Sequence, residues 1–191
     1  MTDSVSAKPF EEHGDETALM LAAAAGSEAA YFTLVRRLER PLLNLFQRLG
    51  AQHDEAQDAA QDTFLRLLRA APRYKPMAPF RAFLFRLARN AWMDFCRSRQ
   101  RRERHVAAPG GMETDSLCRP ELAPSIRAEL AEALSNLSDA HRQVLVFSIY
   151  GGLSYAEIAE VMCIPEGTVK SRAFHALRQL RVGMGVHAKP I

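Results

Sequence analysis

The sequence has few cysteines and no long apolar run, and each absence narrows the class of protein. Its three cysteines, at 96, 118 and 163, show no CxxC spacing, so neither a disulfide framework nor a zinc knuckle is predicted. The longest apolar runs, such as residues 18–25, fall far short of the ~20 residues that a membrane span needs. The N-terminal residues are polar and acidic rather than signal-like. We therefore expect a cytoplasmic protein with no membrane insertion, cofactor or metal.

Runs of β-branched residues are also few, whereas apolar residues with a 3.6-residue period are common, and this pattern predicts an all-α protein. Gly26 and Ser27 predict the end of one helix and the cap of the next. Pro41 should kink or restart that second helix. Further helices are predicted at about 54–71 and 80–102, and from a cap at Ser138 to Gly151.

Composition divides the chain into two helical domains. Residues 105–127 contain several prolines and glycines with little periodicity, which indicates a flexible linker. The predicted order is a disordered acidic tail (1–14), an N-terminal domain (15–104), the linker (105–127), a C-terminal domain (128–184) and a short tail (185–191).

Positive charge is concentrated in one segment. Residues 81–104 hold eight arginines and two acids, although the net charge of the chain is only +3. Such a cluster favours a polyanionic partner, because each neutralised phosphate releases counterions. A solvated helix face explains the arginines equally well.

The C-terminal domain shows a helix-turn-helix pattern. Ser154 and Glu157 form a predicted capping box, and Pro165 fits the first turn of the following helix. In that second helix the apolar stripe is Val169, Ala173, Ala176, Leu177 and Leu180. The other side presents hydroxyls, cations and a ring suited to the major groove: Thr168, Lys170, Ser171, Arg172, Phe174, His175, Arg178 and Gln179. Two short helices of a plain bundle are the alternative.

The helix from Phe80 also has two faces. Its apolar stripe is Phe80, Leu84, Leu87, Ala88, Ala91 and Phe95. Its polar face combines phosphate-binding cations with an amide that can bond base edges: Arg86, Arg89, Asn90, Met93, Asp94 and Arg97. The preceding loop at 73–79, with Tyr74, Lys75 and two prolines, could hold an unstacked base. An ordinary surface turn is the alternative.

The helix at about 54–71 favours a protein partner over DNA. Its inward positions are predicted to be Ala60, Phe64, Leu67, Leu68 and Ala71. Its outer face places a leucine among charged and polar groups: Asp58, Gln61, Asp62, Leu65, Arg66 and Arg69.

Four stretches together are similar to a known family. Residues 58–66 (DAAQDTFLR), 80–90 (FRAFLFRLARN), 152–159 (GLSYAEIA) and 165–172 (PEGTVKSR) resemble the extracytoplasmic-function (ECF) group of bacterial sigma-70 family sigma factors. The resemblance covers roughly residues 15–104 and 128–182, in the order of the family.

The resemblance implies a transcription initiation factor, not an enzyme, that binds core RNA polymerase and promoter DNA. By analogy, Asp58, Gln61, Asp62, Leu65 and Arg66 dock on the clamp helices of the largest subunit, and the C-terminal domain meets the flap of the second. The 73–79 loop and the face bearing Asn90 would open the −10 element, and the helix from Pro165 would read the −35 element. An anti-sigma factor, if present, would be another protein.

Some residues depart from the family pattern. Leu68 and Phe83 stand where tryptophan is frequent, and His175 stands where a basic residue is usual. His175 either makes base contact depend on pH or shortens its reach. Cys163 occupies a turn position where such motifs commonly have glycine, because φ is positive there. Two explanations for the cysteine remain, a strained turn and a redox switch.

Two rival functions remain at this stage. A free-standing helix-turn-helix regulator explains the C-terminal domain but leaves the N-terminal arginines and the outer face of helix 54–71 without a role. A metalloenzyme using His13, Asp15 and Glu16 would place its ligands in an acidic tail without helical spacing.

Overall fold

The computed structural model describes residues 15–77, 79–106 and 132–183, and every regular element in these ranges is helical. Helices α1 to α4 are Asp15–Ala24, Glu28–Leu49, His53–Ala70 and Phe80–Val106, and a 3₁₀ turn at Ala71–Arg73 follows α3. After a helical turn at 132–135, α5 is Asp139–Leu145, α6 is Tyr155–Met162 and α7 is Glu166–Gly183. A π-helical turn, Val146–Tyr150, extends α5. Both predicted tails, most of the predicted linker, His13 and Cys118 lie outside the described residues.

The helix ends follow the local chemistry of the sequence. Gly26 has a φ of 96°, and the Ser27 side chain accepts a hydrogen bond from the backbone N–H of Ala30 (3.3 Å). The Ser138 side chain caps α5 in the same way, by accepting from the backbone N–H of His141 (3.5 Å). These caps confirm the predicted starts of α2 and α5.

Helix α2 runs through Pro41 as one element, so the predicted restart at this proline was wrong. An internal proline costs about 3 kcal/mol through its missing N–H and its ring. Leu34, Leu38, Leu42 and Leu45 line one side of α2 and are 0–1% exposed. Each buried leucine contributes about 1.5–3 kcal/mol, so packing on both sides of Pro41 outweighs the local cost.

Helix α4 is the centre of the fold because it is buried on two sides. On one side it packs against α3, and Phe80, Leu84 and Ala88 of its predicted stripe are 0–2% exposed. On another side, Phe85 is fully buried and meets the ring of Phe147 edge-on at a centroid distance of 5.5 Å. The sequence pattern missed this second contact, whose partners are 62 positions apart.

The N-terminal and C-terminal helices therefore share one hydrophobic core. Helix α6 packs on α4, and α5 approaches the end of α2. The Tyr150 hydroxyl donates to the Pro41 carbonyl (3.4 Å), and the Arg48 guanidinium lies 4.4 Å above the Tyr150 ring. A smaller cluster between α5 and α7, with Leu137, Leu145 and Leu180, belongs to the C-terminal part.

A buried arginine ties the helices around α5 together. The guanidinium of Arg142, a residue that is 1% exposed, donates mainly to main-chain carbonyls. The acceptors are the carbonyls of Leu134 (2.8 Å), Ser135 (2.9 Å), Leu137 (3.0 Å) and Leu49 (3.2 Å) and a carboxylate oxygen of Asp139 (3.4 Å). The carbonyls of Leu134, Ser135 and Leu137 lie at or just after the end of the helical turn at 132–135, where main-chain acceptors run short of helical donors. The Leu134 carbonyl also accepts from the N–H of Leu137 (3.2 Å).

Candidate nucleic-acid interface

The turn between α6 and α7 is built by local hydrogen bonds. The Ser154 side chain accepts from the N–H of Glu157 (3.3 Å), and the Glu157 carboxylate accepts from the N–H of Ser154 (2.7 Å), as predicted for a capping box. Cys163 ends α6 in the left-handed region, with φ 54° and ψ 46°. The N–H of Ile164 then donates to the carbonyl of Ala159 (3.1 Å). This closure reverses the chain, so α6 and α7 form the predicted helix-turn-helix.

Helix α7 presents most of the predicted polar face to solvent. Lys170, Ser171, Phe174, His175, Arg178 and Gln179 are exposed, and Thr168 and Arg172 are half-buried. Val169, Ala173, Ala176 and Leu180 face the core as predicted. Leu177 is 39% exposed, so its assignment to the core was wrong. The buried stripe is narrow because alanines at 173 and 176 bring α7 close to its neighbours, which leaves Leu177 outside.

Glu166 and His141 lie next to two side chains of this polar face, Lys170 and His175. Lys170 forms an ion pair with Glu166 (2.8 Å), and this hydrogen bond raises the pKa of Lys170. The ring of His141, at the start of α5, lies 6.3 Å from that of His175. Both imidazoles line an open cavity with Arg178. The sequence pattern missed His141 because it belongs to another helix.

The polar face of α4 divides into an open part and a covered part. Arg86, Asn90 and Arg97 are exposed, whereas Arg89, Met93 and Asp94 are half-buried. Gln143 of α5, only 5% exposed, accounts for the cover over Arg89 and Met93. The Arg89 Nε donates to the Gln143 Oε1 (3.3 Å), and the Gln143 Nε2 lies 3.8 Å from the Met93 sulfur.

The electrostatic environment of Arg89 reflects the same packing. Burial lowers the pKa of Arg89, and the nearby guanidinium groups of Arg172 and Arg97 lower it further. Arg172 belongs to α7 and Arg89 to α4. The structure therefore brings together one cation from each of the two predicted DNA-reading faces.

The loop before α4 differs from the sequence prediction. Tyr74 is buried, with its ring 5.0 Å from that of Phe83 and 6.2 Å from that of Phe80, and burial raises its pKa. The sequence predicted that the Tyr74 ring lies on the loop surface. That surface instead presents Lys75 and Met77, and Met77 is 90% exposed. Tyr74 packs inward because two aromatic residues of α4 offer it edge contacts.

The outer face of α3 carries the predicted protein-docking residues. Asp58, Gln61 and Leu65 are exposed, and Asp62 and Arg66 are half-buried. Leu65 is 46% exposed, and Leu68 is 49% exposed, so the inward assignment of Leu68 was wrong. The inner positions of α3 are taken by Ala56, Ala59, Ala60, Thr63 and Leu67. Two leucines thus form an apolar strip on this surface.

An ion-pair network joins this face to α4. Arg66 contacts carboxylate oxygens of Asp62 (2.8 Å) and Asp94 (2.7 Å), and Asp94 also pairs with Arg97. Hydrogen bonds from Arg97 and Arg66 lower the pKa of Asp94. Asp94 thus orients two cations within the protein.

Comparisons with known proteins match both halves of this fold. A family model described as Sigma-70 region 2 matches residues 34–102, and one described as Sigma-70 region 4 matches residues 127–180. The chain therefore has the two helical domains of a sigma-70 type factor. The ECF RNA polymerase sigma factor SigL of Mycobacterium tuberculosis is 37% identical over 174 residues, which is 85% of this chain and 95% of the relative. The chain belongs to the ECF RNA polymerase sigma factors.

Solved structures agree with this fold. The structure of CnrH in complex with the cytosolic domain of CnrY has a TM-score of 0.66 and 27% identity, and covers 91% of this chain and 99% of CnrH. RpoE with the anti-sigma factor NepR, from Bartonella quintana, has a TM-score of 0.65 and 23% identity, with 92% and 98% coverage.

The relatives are named as RNA polymerase sigma factors, which act in transcription initiation, so a free-standing regulator is not favoured. Within the described ranges, no helix combines the length and apolar character needed to cross a membrane. The same ranges hold no group of three or more His, Cys, Asp or Glu residues placed to bind a metal.

Proposed function

We propose that this sigma factor works in the cytoplasm and directs core RNA polymerase to promoters through two separate DNA-reading faces. The polar face of α7 reads the −35 element, and the polar face of α4 with the loop before it recognises the −10 element. One observation carries the proposal. Both faces expose amide, hydroxyl and cationic side chains, of the kinds that can bond base edges and phosphates, and both lie on helices that the region 2 and region 4 family models match.

The chemistry of α7 suits a major groove. Ser171 and Arg172 supply hydrogen-bond donors near the start of the helix, and Lys170 and Arg178 supply charge for phosphates. Phe174 is 65% exposed, and an apolar ring at this position suits the methyl group of thymine. His175 lies beside Phe174, with ring centroids 5.6 Å apart.

The chemistry of α4 suits an unstacked single strand. Asn90 can bond a base edge, and the exposed Arg86 and Arg97 on either side of it can hold phosphates. In the preceding loop, Met77 offers the exposed apolar side chain against which a displaced base can pack. Binding of the displaced strand offsets the cost of unstacking, so DNA opening needs no catalytic group.

Two further surfaces serve protein partners. The strip of Leu65 and Leu68 on α3, with Asp58 and Gln61 beside it, docks on the clamp helices of the largest polymerase subunit, and the C-terminal domain meets the flap of the second. A separate anti-sigma protein is a further partner. Support comes from the two solved relatives, because each is a complex with another protein.

Promoter selection by the reconstituted holoenzyme tests the assignment of the two faces. DNA retained from a randomised library is sequenced for the wild type, Ser171→Ala and Asn90→Ala. We expect Ser171→Ala to change base preferences only in the −35 element and Asn90→Ala only in the −10 element, with each lost base contact relaxing one position by about 1–3 kcal/mol. Altered preferences in the opposite element would contradict the proposal.

A further inference from the structure

The polar face of α4 contains a carboxylate that its assigned function does not explain. Asp94 is the one acidic residue between positions 80 and 102, among seven arginines. It lies one turn after Asn90 and one turn before Arg97, so the three side chains share one face of the helix. A carboxylate repels the phosphates that this face is proposed to bind. An acid at this position therefore needs a physical reason.

Both oxygens of the Asp94 carboxylate are already engaged within the protein. Oδ2 accepts a hydrogen bond from the Nη2 of Arg66 (2.7 Å), and Oδ1 accepts one from the Nη2 of Arg97. Hydrogen bonds from Arg97 and Arg66 lower the pKa of Asp94, so the group stays charged near neutral pH. A base edge would have to displace one of these two cations to reach the carboxylate. Asp94 is therefore better placed to orient arginines than to read a base.

The two arginines differ in what they can still reach. The Arg66 side chain is 28% exposed, and its Nε also donates to the Asp62 carboxylate (2.9 Å), so Arg66 anchors Asp94 to α3. The Arg97 side chain is 61% exposed and bonds Asp94 through Nη2, one of the three nitrogens of its guanidinium. A guanidinium carries five N–H donors. Arg97 can therefore keep its bond to Asp94 and still donate to a phosphate.

We propose that Asp94 is a positioning residue for −10 recognition: anchored by Arg66, it holds the Arg97 guanidinium on the polar face of α4, where Arg97 binds a phosphate of the displaced strand. The inference rests on the proposed function, because it takes this face as the −10 reader. A free arginine side chain loses much conformational entropy when it binds, and a guanidinium that is already held loses less. This gain outweighs the repulsion from the carboxylate, because two cations balance its charge.

Binding of purified holoenzyme to a single-stranded −10 oligonucleotide tests this role. The fluorescent probe carries the −10 sequence recovered from the promoter library, and anisotropy gives its affinity at several salt concentrations. We expect Asp94→Asn to bind this probe about three to ten times more weakly than the wild type, although the change removes a negative charge. Arg97→Met should show a similar loss. Glu39→Gln, which removes an exposed negative charge from α2, is the matched control and should bind within about twofold of the wild type.

The double variant and the salt dependence test whether Asp94 acts through Arg97. Asp94→Asn combined with Arg97→Met should bind within about twofold of Arg97→Met alone, because both changes remove the same contact. The slope of log affinity against log salt should become shallower by about 0.7 in each variant, as expected for one lost phosphate contact on a single strand. A merely structural effect of Asp94→Asn would leave this slope unchanged and would add to the loss in Arg97→Met.

Three results would overturn the proposal. The first is full or raised affinity of Asp94→Asn for the −10 oligonucleotide, and the second is additive losses in the double variant. The third is an altered −10 base preference of Asp94→Asn in the library selection, which would make Asp94 itself a base reader. Failure of the −10 assignment would appear separately, as unchanged −10 preferences of Asn90→Ala.

Discussion

Replacement of Arg142 by methionine should destabilise the chain more than any change at its surface. The guanidinium donates to four carbonyls and one carboxylate, and three of its bonds are 3.0 Å or shorter. Hydrogen bonds to a charged group contribute about 1.5–3 kcal/mol each. Replacing the guanidinium also removes the cost of burying its charge, so the net loss is smaller than the sum of these bonds. Breaking a buried charged network typically costs about 3–5 kcal/mol. We expect a loss in that range, because methionine removes the donor of the Ser135 and Leu137 carbonyls. The Leu134 carbonyl keeps the N–H of Leu137 as a donor (3.2 Å).

Urea unfolding followed by circular dichroism measures this loss. With a slope of about 2 kcal/mol per molar urea, the midpoint of Arg142→Met should fall by about 1.5–2.5 M. Arg36→Met, at an exposed position on α2, is the matched control and should shift it by less than about 0.3 M. A loss below about 1 kcal/mol for Arg142→Met would refute the reasoning, since it would mean that water or other donors replace the guanidinium at little cost.

Three further predictions concern the surface of α3 and the helix-turn-helix. Leu65→Asp should weaken core polymerase binding by about tenfold or more, because a leucine buried in the interface contributes about 1.5–3 kcal/mol. Gln57→Asp is the control. If Leu65→Asp and the wild type showed equal affinity for core polymerase in a pull-down, this face would be excluded as the docking site. Cys163→Gly should raise the free energy of unfolding, measured by thermal unfolding, by up to about 1 kcal/mol, because glycine adopts a positive φ without strain. A clear loss of stability in this variant would show that the thiol has another role. His175→Arg should tighten −35 binding, because the arginine side chain reaches further and donates more hydrogen bonds than histidine; unchanged affinity would remove position 175 from the reading face.

Local chemistry predicted many of the helix ends and the helix-turn-helix. The Ser154 cap and the positive φ of Cys163 depend on residues within a few positions, so the sequence carries them directly. The errors at Pro41, Leu68 and Leu177 share another cause. Each depends on how closely neighbouring helices pack, and a 3.6-residue period does not contain that information.

Contacts between the domains could not be predicted from patterns. Gln143 and Arg89 are 54 positions apart, and Gln143 lies on no face that the periodicity marks as special. The sequence predicted the polar face of α4 as one set of residues, but its division into covered and open parts depends on the C-terminal helices. The prediction that Tyr74 is exposed failed for a similar reason. The rings that bury it, Phe80 and Phe83, belong to the next helix, and the loop sequence alone does not show that they pack on it.

Run-off transcription with core polymerase and a promoter library tests the central claim most directly. The account predicts transcripts only when this chain and core polymerase are both present, and it predicts that their templates share one sequence near −35 and another near −10. It also predicts that Leu65→Asp abolishes most of these transcripts. Tight DNA binding by the chain alone, with no initiation at any template, would contradict it.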